Sequence, residues 1–334
     1  MKRWAELDRA KGLAIILVVF GHIVAREDPA GVGWYGPLRM VVYLFHMPFF
    51  FYLSGYVAML SGAATRPQGK TIRRQAVRLL VPFLGFGLII LLGKLALGRV
   101  VAVDNLPVGF GAGLWALLWD TGHSPATSVW FLVALFVYSV ALPVLSRLLG
   151  VGGLLAVGFL LFVLPVPPLA YLDRICGYFV FFVAGVAAAR AGTAWLAVID
   201  RWRWPVLGVF GALLVLAWSG LVPVLGAAHA AWLLGMGMLS MPALHGLVRA
   251  WRAPVLLWLG GAVFPIYLLN TICIGLTKAA LLPVLGWTSA TFVPFAVTLM
   301  AAGLFGPHVI VKSIDRVRRF VSCGWINARH SRDV

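Results

Sequence analysis

Ten stretches of this sequence are almost free of charge and have lengths close to the width of a lipid bilayer. A helix that crosses the hydrocarbon core needs about 20 apolar residues, with roughly 17–25 as the usual range. Of the 334 residues, 62% are hydrophobic and 11% are charged, whereas about 25% are charged in an average soluble domain. Soluble enzymes, disordered chains and disulfide scaffolds are therefore excluded. The ten stretches are 12–26, 37–61, 77–98, 128–148, 151–165, 172–190, 204–220, 226–247, 255–282 and 289–313.

This pattern predicts an all-α, polytopic integral membrane protein with about ten transmembrane helices in one membrane-embedded domain, residues 1–334. The weakest span is 151–165, which is short and ends in prolines. The segment 106–119 is too short to cross the membrane, so we interpret it as interfacial or re-entrant. We interpret 12–26 as a retained first helix rather than a cleaved signal peptide, because further spans follow it. Residues 315–334 form a basic tail.

The charge of the chain is strongly one-sided. Lysine and arginine number 27 against 10 acids, for a formal charge of +17. Alternate connections between the spans hold 21 of the 27 basic residues, counting both ends of the chain. By the positive-inside rule this alternation predicts that both termini are cytoplasmic. Topology thus accounts for most of the excess charge, and without a folded basic domain a nucleic-acid partner is not expected.

The first two predicted spans hold ionisable side chains, which are costly inside a membrane and are functional candidates by default. His22 is in the first span; Arg39 and His46 are in the second. Because a short outer connection joins these two spans, His22 and His46 are expected at similar depth and can be neighbours. The three cysteines are scattered and no cluster of ligands is visible, so no metal site is predicted.

Several motifs surround these residues. LDRAKGLAIILVVFGH places Lys11 eleven positions before His22, and FHMPFFFYLSGY contains His46. The basic entry to the third span reads RRQAVRLLVPF. Two shorter motifs are WFL, which begins at Trp130, and FFVAG, in the sixth span. The segment PIYLLN contains Tyr267 and ends at Asn270.

Taken together, these motifs resemble the acyltransferase-3 family of integral-membrane O-acyltransferases. The family pattern has a basic residue, ten positions and a histidine, with arginine commoner than the lysine found here. The last motif often ends in histidine, and Asn270 departs from that pattern, so Asn270 receives no catalytic role. The resemblance implies transfer of an acyl group, commonly acetyl from acetyl-CoA, to a sugar hydroxyl of an extracytoplasmic polysaccharide or its lipid-linked precursor, at the bacterial cytoplasmic membrane. Polysaccharide-assembly proteins are possible further partners.

The chemistry implied by the resemblance suits these residues. A sugar hydroxyl is a poor nucleophile and needs a base, and an imidazole titrates near pH 6.5. His22 is therefore expected to act as the general base, with an acyl-histidine intermediate as the rival use of the same ring. His46 is expected to orient His22, share its proton or polarise the thioester carbonyl. The phosphates of CoA are assigned to basic residues at the inner ends of the spans: Arg9, Lys11, Arg73, Arg74 and Arg78. Acceptor or acyl contacts are assigned to Arg39, Trp130, Tyr267 and Asn270.

Two other classes of function stay open at this point. A transporter or exporter would use His22, His46 and Arg39 as a proton or substrate relay, but no internal repeat of the kind found in inverted-repeat transporters is visible. A polyprenyl-linked sugar transferase usually needs acidic residues within or beside its spans, and these spans have almost none.

Overall fold

The computed structural model describes residues 4–24, 31–98, 105–223 and 225–330, and the described side chains exclude residue 97 and residues 317–330. Over these residues the chain forms helices and no strand, which confirms the all-α prediction. Most of the predicted tail at 315–334 lies outside the described side chains. The helices are α1 (Ala5–Gly21), α2 (Tyr35–Tyr43), α3 (His46–Leu60), α4 (Gln68–Gln75), α5 (Val81–Leu97), α6 (Phe110–Leu118), α7 (Trp130–Val163), α8 (Leu172–Ala191), α9 (Thr193–Trp218), α10 (Gly226–Ala250), α11 (Pro254–Gly261), α12 (Val263–Leu285) and α13 (Ser289–His330).

Within the described residues, seven helical segments are long and apolar enough to cross a membrane. In lipid the backbone must satisfy its own hydrogen bonds, which a helix does. The seven segments are Tyr35–Leu60, Gln68–Ala96, Trp130–Val163, Leu172–Ala191, Gly226–Ala250, Val263–Leu285 and Ser289–Arg316. The count of ten stays a prediction. Three of the predicted spans are not among the seven. The helix α1 has only 17 residues, the first half of α9 is charged, and the two spans predicted at 128–148 and 151–165 are one segment in α7.

The helix α7 contains the predicted break between its two spans. The backbone of Gly150 has φ 61° and ψ −176°, which no helix adopts. The rings of Trp130 and Tyr178 lie 5.1 Å apart, and those of Phe162 and Phe181 lie 6.0 Å apart. A straight helix would separate Trp130 from Phe162 by about 48 Å. The chain therefore folds back at Gly150, and both halves of α7 pack against α8.

Several predicted spans have boundaries different from those expected. The first span was expected at 12–26, but α1 begins at Ala5 and ends at Gly21, so His22 caps the helix instead of lying inside it. The expected bounds followed the apolar residues alone, whereas the helix also includes the charged residues that precede them. The second span divides just before His46. The span 255–282 divides after the glycine pair that ends α11, where a change of direction lets α11 pack along α1.

Two pairs of helices cross with their backbones in close approach. A Cβ atom at Gly55 of α3 would overlap the carbonyl oxygen of Phe182 of α8, and one at Gly185 would overlap the carbonyl oxygen of Tyr52. Gly12 and Gly260 stand in the same relation where α1 crosses α11. Small residues at such crossings permit the close packing that holds membrane helices together. The glycines of the SGY and FFVAG motifs are therefore packing residues.

We expect Gly185→Ala to destabilise the protein by about 1–3 kcal/mol, because the added methyl group forces α3 and α8 apart. Thermal unfolding of the purified protein in detergent measures the effect. The matched control is Gly177→Ala on the same helix, where a Cβ atom has nothing within 4 Å. Equal unfolding temperatures for the two variants would contradict the proposed close crossing.

Candidate functional site

His22 lies at the carboxyl end of α1, where side chains of α2 hold the turn. The last carbonyl groups of a helix lack partners within it. Here Tyr35 Oη donates to the carbonyl of Phe20 at 2.6 Å, and Tyr43 Oη donates to that of Gly21 at 2.8 Å. Arg39 Nη1 donates to the carbonyl of Val24 at 2.9 Å. The donors are four residues apart, so one face of α2 positions the histidine.

This location also has an electrostatic consequence. The carboxyl end of a helix carries a partial negative charge, which favours a cation there. An imidazolium formed at His22 is stabilised by that charge. The guanidinium of Arg39 is a second cation at this helix end, and it contacts the backbone two residues after His22. The predicted contact of Arg39 with the substrate stays a prediction. In the structure Arg39 holds the turn that carries His22.

Asn270 of α12 contacts His22 directly. His22 Nδ1 and Asn270 Oδ1 are 2.7 Å apart. The amide nitrogen of Asn270 donates to the carbonyl oxygens of Ile266 and Tyr267, both at 2.8 Å, which fixes the orientation of the amide. Its oxygen therefore faces the imidazole, and an amide oxygen only accepts hydrogen bonds. The proton of neutral His22 is then on Nδ1, and the lone pair that accepts a proton is on Nε2.

His46 begins α3 beside the same turn. Its Nδ1 donates to the carbonyl of Val42 at 2.9 Å, and its side chain is nearly buried. The ring of Tyr43 lies 5.0 Å from that of His46, while the Tyr43 hydroxyl reaches the turn before His22. The imidazole rings of His22 and His46 are close enough to interact electrostatically. Tyr43 thus contacts His46 through its ring and the backbone just before His22 through its hydroxyl.

Trp130 and Tyr267 lie in an aromatic cluster next to this group. The guanidinium of Arg174 lies 4.8 Å from the centre of the Trp130 ring. The hydroxyl of Tyr267 donates to the carbonyl of Ser128, and its own carbonyl accepts from Asn270. Tyr267 therefore links the segment before Trp130 to the partner of His22. Both side chains are buried.

The predicted phosphate-binding residues divide into two groups. Lys11 forms an ion pair with Asp8 at 3.1 Å. Arg9 Nε donates to the carbonyl of Val248 in α10 at 3.3 Å. Lys11 and Arg9 lie on α1, which packs mainly against α11, whereas α4 and the turn after it, which carry Arg73, Arg74 and Arg78, pack against α7.

Arg73, Arg74 and Arg78 remain exposed at the end of the third span. A π-helical turn, Ala76–Leu80, follows α4 and carries Arg78. The guanidinium groups of Arg78 and Arg74 are close enough to interact electrostatically. In the described part of the chain, no carboxylate pairs with these three guanidinium groups. They are therefore available to an anion.

Sequence reasoning missed two groups of residues. Tyr35 and Tyr43 flank Arg39 at helical spacing, a signal that could have indicated one functional face of α2. His245 is a buried ionisable residue in a predicted span; its Nδ1 lies 2.8 Å from the hydroxyl of Tyr52, which accepts from Trp195 Nε1 at 2.8 Å. His245 could have been found by the signal that identified His22, which is an ionisable residue in an apolar stretch.

The chain is similar to known proteins over different lengths. A family model described as an acyltransferase domain matches residues 4–311. The nodulation protein NolL of Sinorhizobium fredii is 38% identical over 92 residues, which are 27% of this chain and 25% of that protein. NolL of Mesorhizobium japonicum is 37% identical over 82 residues, 24% of this chain and 21% of that protein. The chain therefore spans about a quarter of these curated relatives. No solved structure matches it.

Proposed function

The chain belongs to the acyltransferase-3 family, and on that premise we propose that it is a membrane O-acetyltransferase. It moves acetyl from cytoplasmic acetyl-CoA to a sugar hydroxyl of an extracytoplasmic polysaccharide or its lipid-linked precursor. The contact between His22 Nδ1 and Asn270 Oδ1 is the observation that carries this proposal. The proposal includes one domain with ten spans and cytoplasmic termini, in the bacterial cytoplasmic membrane. The test is release of CoA from acetyl-CoA when an acceptor is supplied.

The proposed reaction uses His22 Nε2 as the proton acceptor. The sugar hydroxyl gives its proton to Nε2 as its oxygen attacks the thioester carbonyl. The tetrahedral intermediate then collapses, the carbon–sulfur bond breaks, and the imidazolium returns the proton to the leaving thiolate. The negative end of α1 favours the imidazolium while it exists, and Asn270 accepts from Nδ1–H throughout. A general base in such a step contributes typically 10²–10⁴-fold to the rate.

The contact of His46 with Val42 narrows its proposed role. Because Nδ1–H donates to a backbone carbonyl, neutral His46 carries its lone pair on Nε2. Polarising a thioester carbonyl requires a donor at that nitrogen, which only the imidazolium has. The geometry therefore favours His46 as a second proton acceptor or an electrostatic partner of His22.

The basic group on α4 and the turn after it is the proposed site for phosphates of CoA. Arginine binds phosphate through two parallel hydrogen bonds, and these guanidinium groups have no acidic partner in the described residues. In this proposal Trp130 and Tyr267 line the path of the acyl group or the acceptor, and Arg39 positions His22 from α2.

We expect the double variant Arg73→Gln/Arg78→Gln to raise the KM for acetyl-CoA by about tenfold or more, with kcat little changed. Each lost charge-assisted hydrogen bond costs about 1.5–3 kcal/mol of binding, and uniform binding affects KM alone. Steady-state kinetics at varied acetyl-CoA measures both constants. Arg190→Gln, an exposed arginine at the end of α8, is the matched control. An unchanged KM in the double variant would remove these residues from the donor site.

A further inference from the structure

A cavity of about 350 Å³ opens where α1 begins and α10 ends. This volume falls in the range of small-ligand sites. Its walls come from α1, α9, α10 and the connection to α11. The residues that line it are almost all charged: Glu6, Arg9, Asp200, Arg203, Arg249, Ala250 and Arg252. Four guanidinium groups and two carboxylates give the cavity a formal charge of +2.

Arg249 forms ion pairs with both acids of the cavity. It donates to Glu6 on one side, and on the other Nε and Nη2 donate to the two oxygens of Asp200 at 2.9 and 2.6 Å. The hydrogen bond from Arg249, with a smaller one from Arg203, lowers the pKa of the Asp200 carboxyl to about 2. Asp200 therefore stays ionised at physiological pH, and the three residues join α1, α9 and α10.

The other three arginines retain donors that these acids do not use. Arg203 gives one nitrogen to Asp200 at 2.6 Å, while its buried Nε has no partner in the described residues. Arg9 uses Nε for the carbonyl of Val248. Arg252 is exposed at the cavity, and no described acid pairs with it. A polar cavity with this surplus of N–H donors is suited to a doubly charged anion.

We propose that this cavity binds a phosphate group, through Arg9, Arg203 and Arg252. The proposal rests on the proposed function in one respect: the phosphate belongs to the nucleotide end of the acyl donor. Arg9 and His22 lie on the same helix, 13 residues apart, which is about 20 Å by helical rise. A donor whose thioester is at His22 must reach the cytoplasmic end through a long arm, and CoA carries its phosphates at the far end of such an arm.

The test measures binding of adenosine 3′,5′-bisphosphate, which has phosphates but no thioester. The full-length protein is placed in nanodiscs of zwitterionic lipid, and Kd is compared among wild type, Arg203→Gln and Arg252→Gln. We expect each variant to bind about tenfold more weakly or worse, as the loss of a charge-assisted hydrogen bond predicts. Arg252 has no described partner, so its variant tests the site without breaking an ion pair.

The matched control is Arg201→Gln, an exposed arginine of α9 that does not line the cavity, and it should bind like wild type. Equal Kd values for all four proteins would overturn the proposal. His22→Ala should keep wild-type binding of the probe, so failure of acetyl transfer and failure of this site are distinguishable.

Addition of anionic phospholipid to the nanodiscs distinguishes the two sources of phosphate. If the anionic lipid leaves the Kd of the probe unchanged, the nucleotide is supported as the occupant. Competition that disappears in Arg252→Gln would instead support a lipid phosphate at the same site.

Discussion

Replacement of His22 by alanine is expected to lower kcat for acetyl transfer by about 10²–10⁴-fold, the range that general bases contribute. The physical reason is that the hydroxyl of a sugar loses its proton acceptor, while the binding of donor and acceptor is little affected. The measurement is the initial rate of CoA release at saturating acetyl-CoA and acceptor, with the protein purified in detergent.

A control for this variant is His123→Ala. His123 lies outside the predicted spans, and its side chain is exposed and pairs only with Asp120 among the described residues, so kcat should stay at the wild-type value. If His22→Ala retains the rate of wild type and His123→Ala does too, the base is elsewhere.

Replacement of Asn270 by alanine is expected to lower kcat by about 100-fold, the scale of the loss when a reacting group is misplaced by about 1 Å. Without the amide oxygen, Nδ1–H of His22 has lost the acceptor that fixes its tautomer and ring orientation. The KM for acetyl-CoA should change little, because the donor does not contact Asn270 in the proposed site.

The tautomer gives this prediction a second readout. Nitrogen-15 NMR of the histidine-labelled protein should show the Nδ1–H form of His22 in wild type and a mixture of forms in Asn270→Ala. Thr271→Ala is the matched control, since the Thr271 hydroxyl is buried without a described partner on the same helix. A kcat for Asn270→Ala equal to that of Thr271→Ala would show that the amide does not position the base.

The features that sequence predicted well are local ones. Apolar runs predict helices in lipid because each helix satisfies its own backbone, and Gly150 breaks α7 where composition indicated a break. His22 and His46 could be found for the same reason, since an ionisable group in an apolar run is costly wherever it packs. In both cases the physical cost is visible within one segment of chain.

The partners of those residues could not be predicted in this way. Asn270 is 248 positions from His22 in the sequence. Because Asn270 departs from the family pattern, it received no catalytic role, and its contact with His22 was not predicted. Arg9 and Arg73 were grouped by charge and by the side of the membrane, but packing places them on helices with different neighbours. Contacts of this kind depend on how helices are arranged, and no local period encodes that arrangement.

The most direct test of His22 as the base of an acetyl transfer follows the label from acetyl-CoA into an acceptor polysaccharide. Purified wild type and His22→Ala are incubated with acetyl-labelled CoA, with and without the acceptor, and both the labelled product and free CoA are measured. We expect acceptor-dependent labelling by wild type and loss of nearly all of it in His22→Ala. Absence of acceptor-dependent transfer by wild type, or full transfer without His22, would contradict the proposed function.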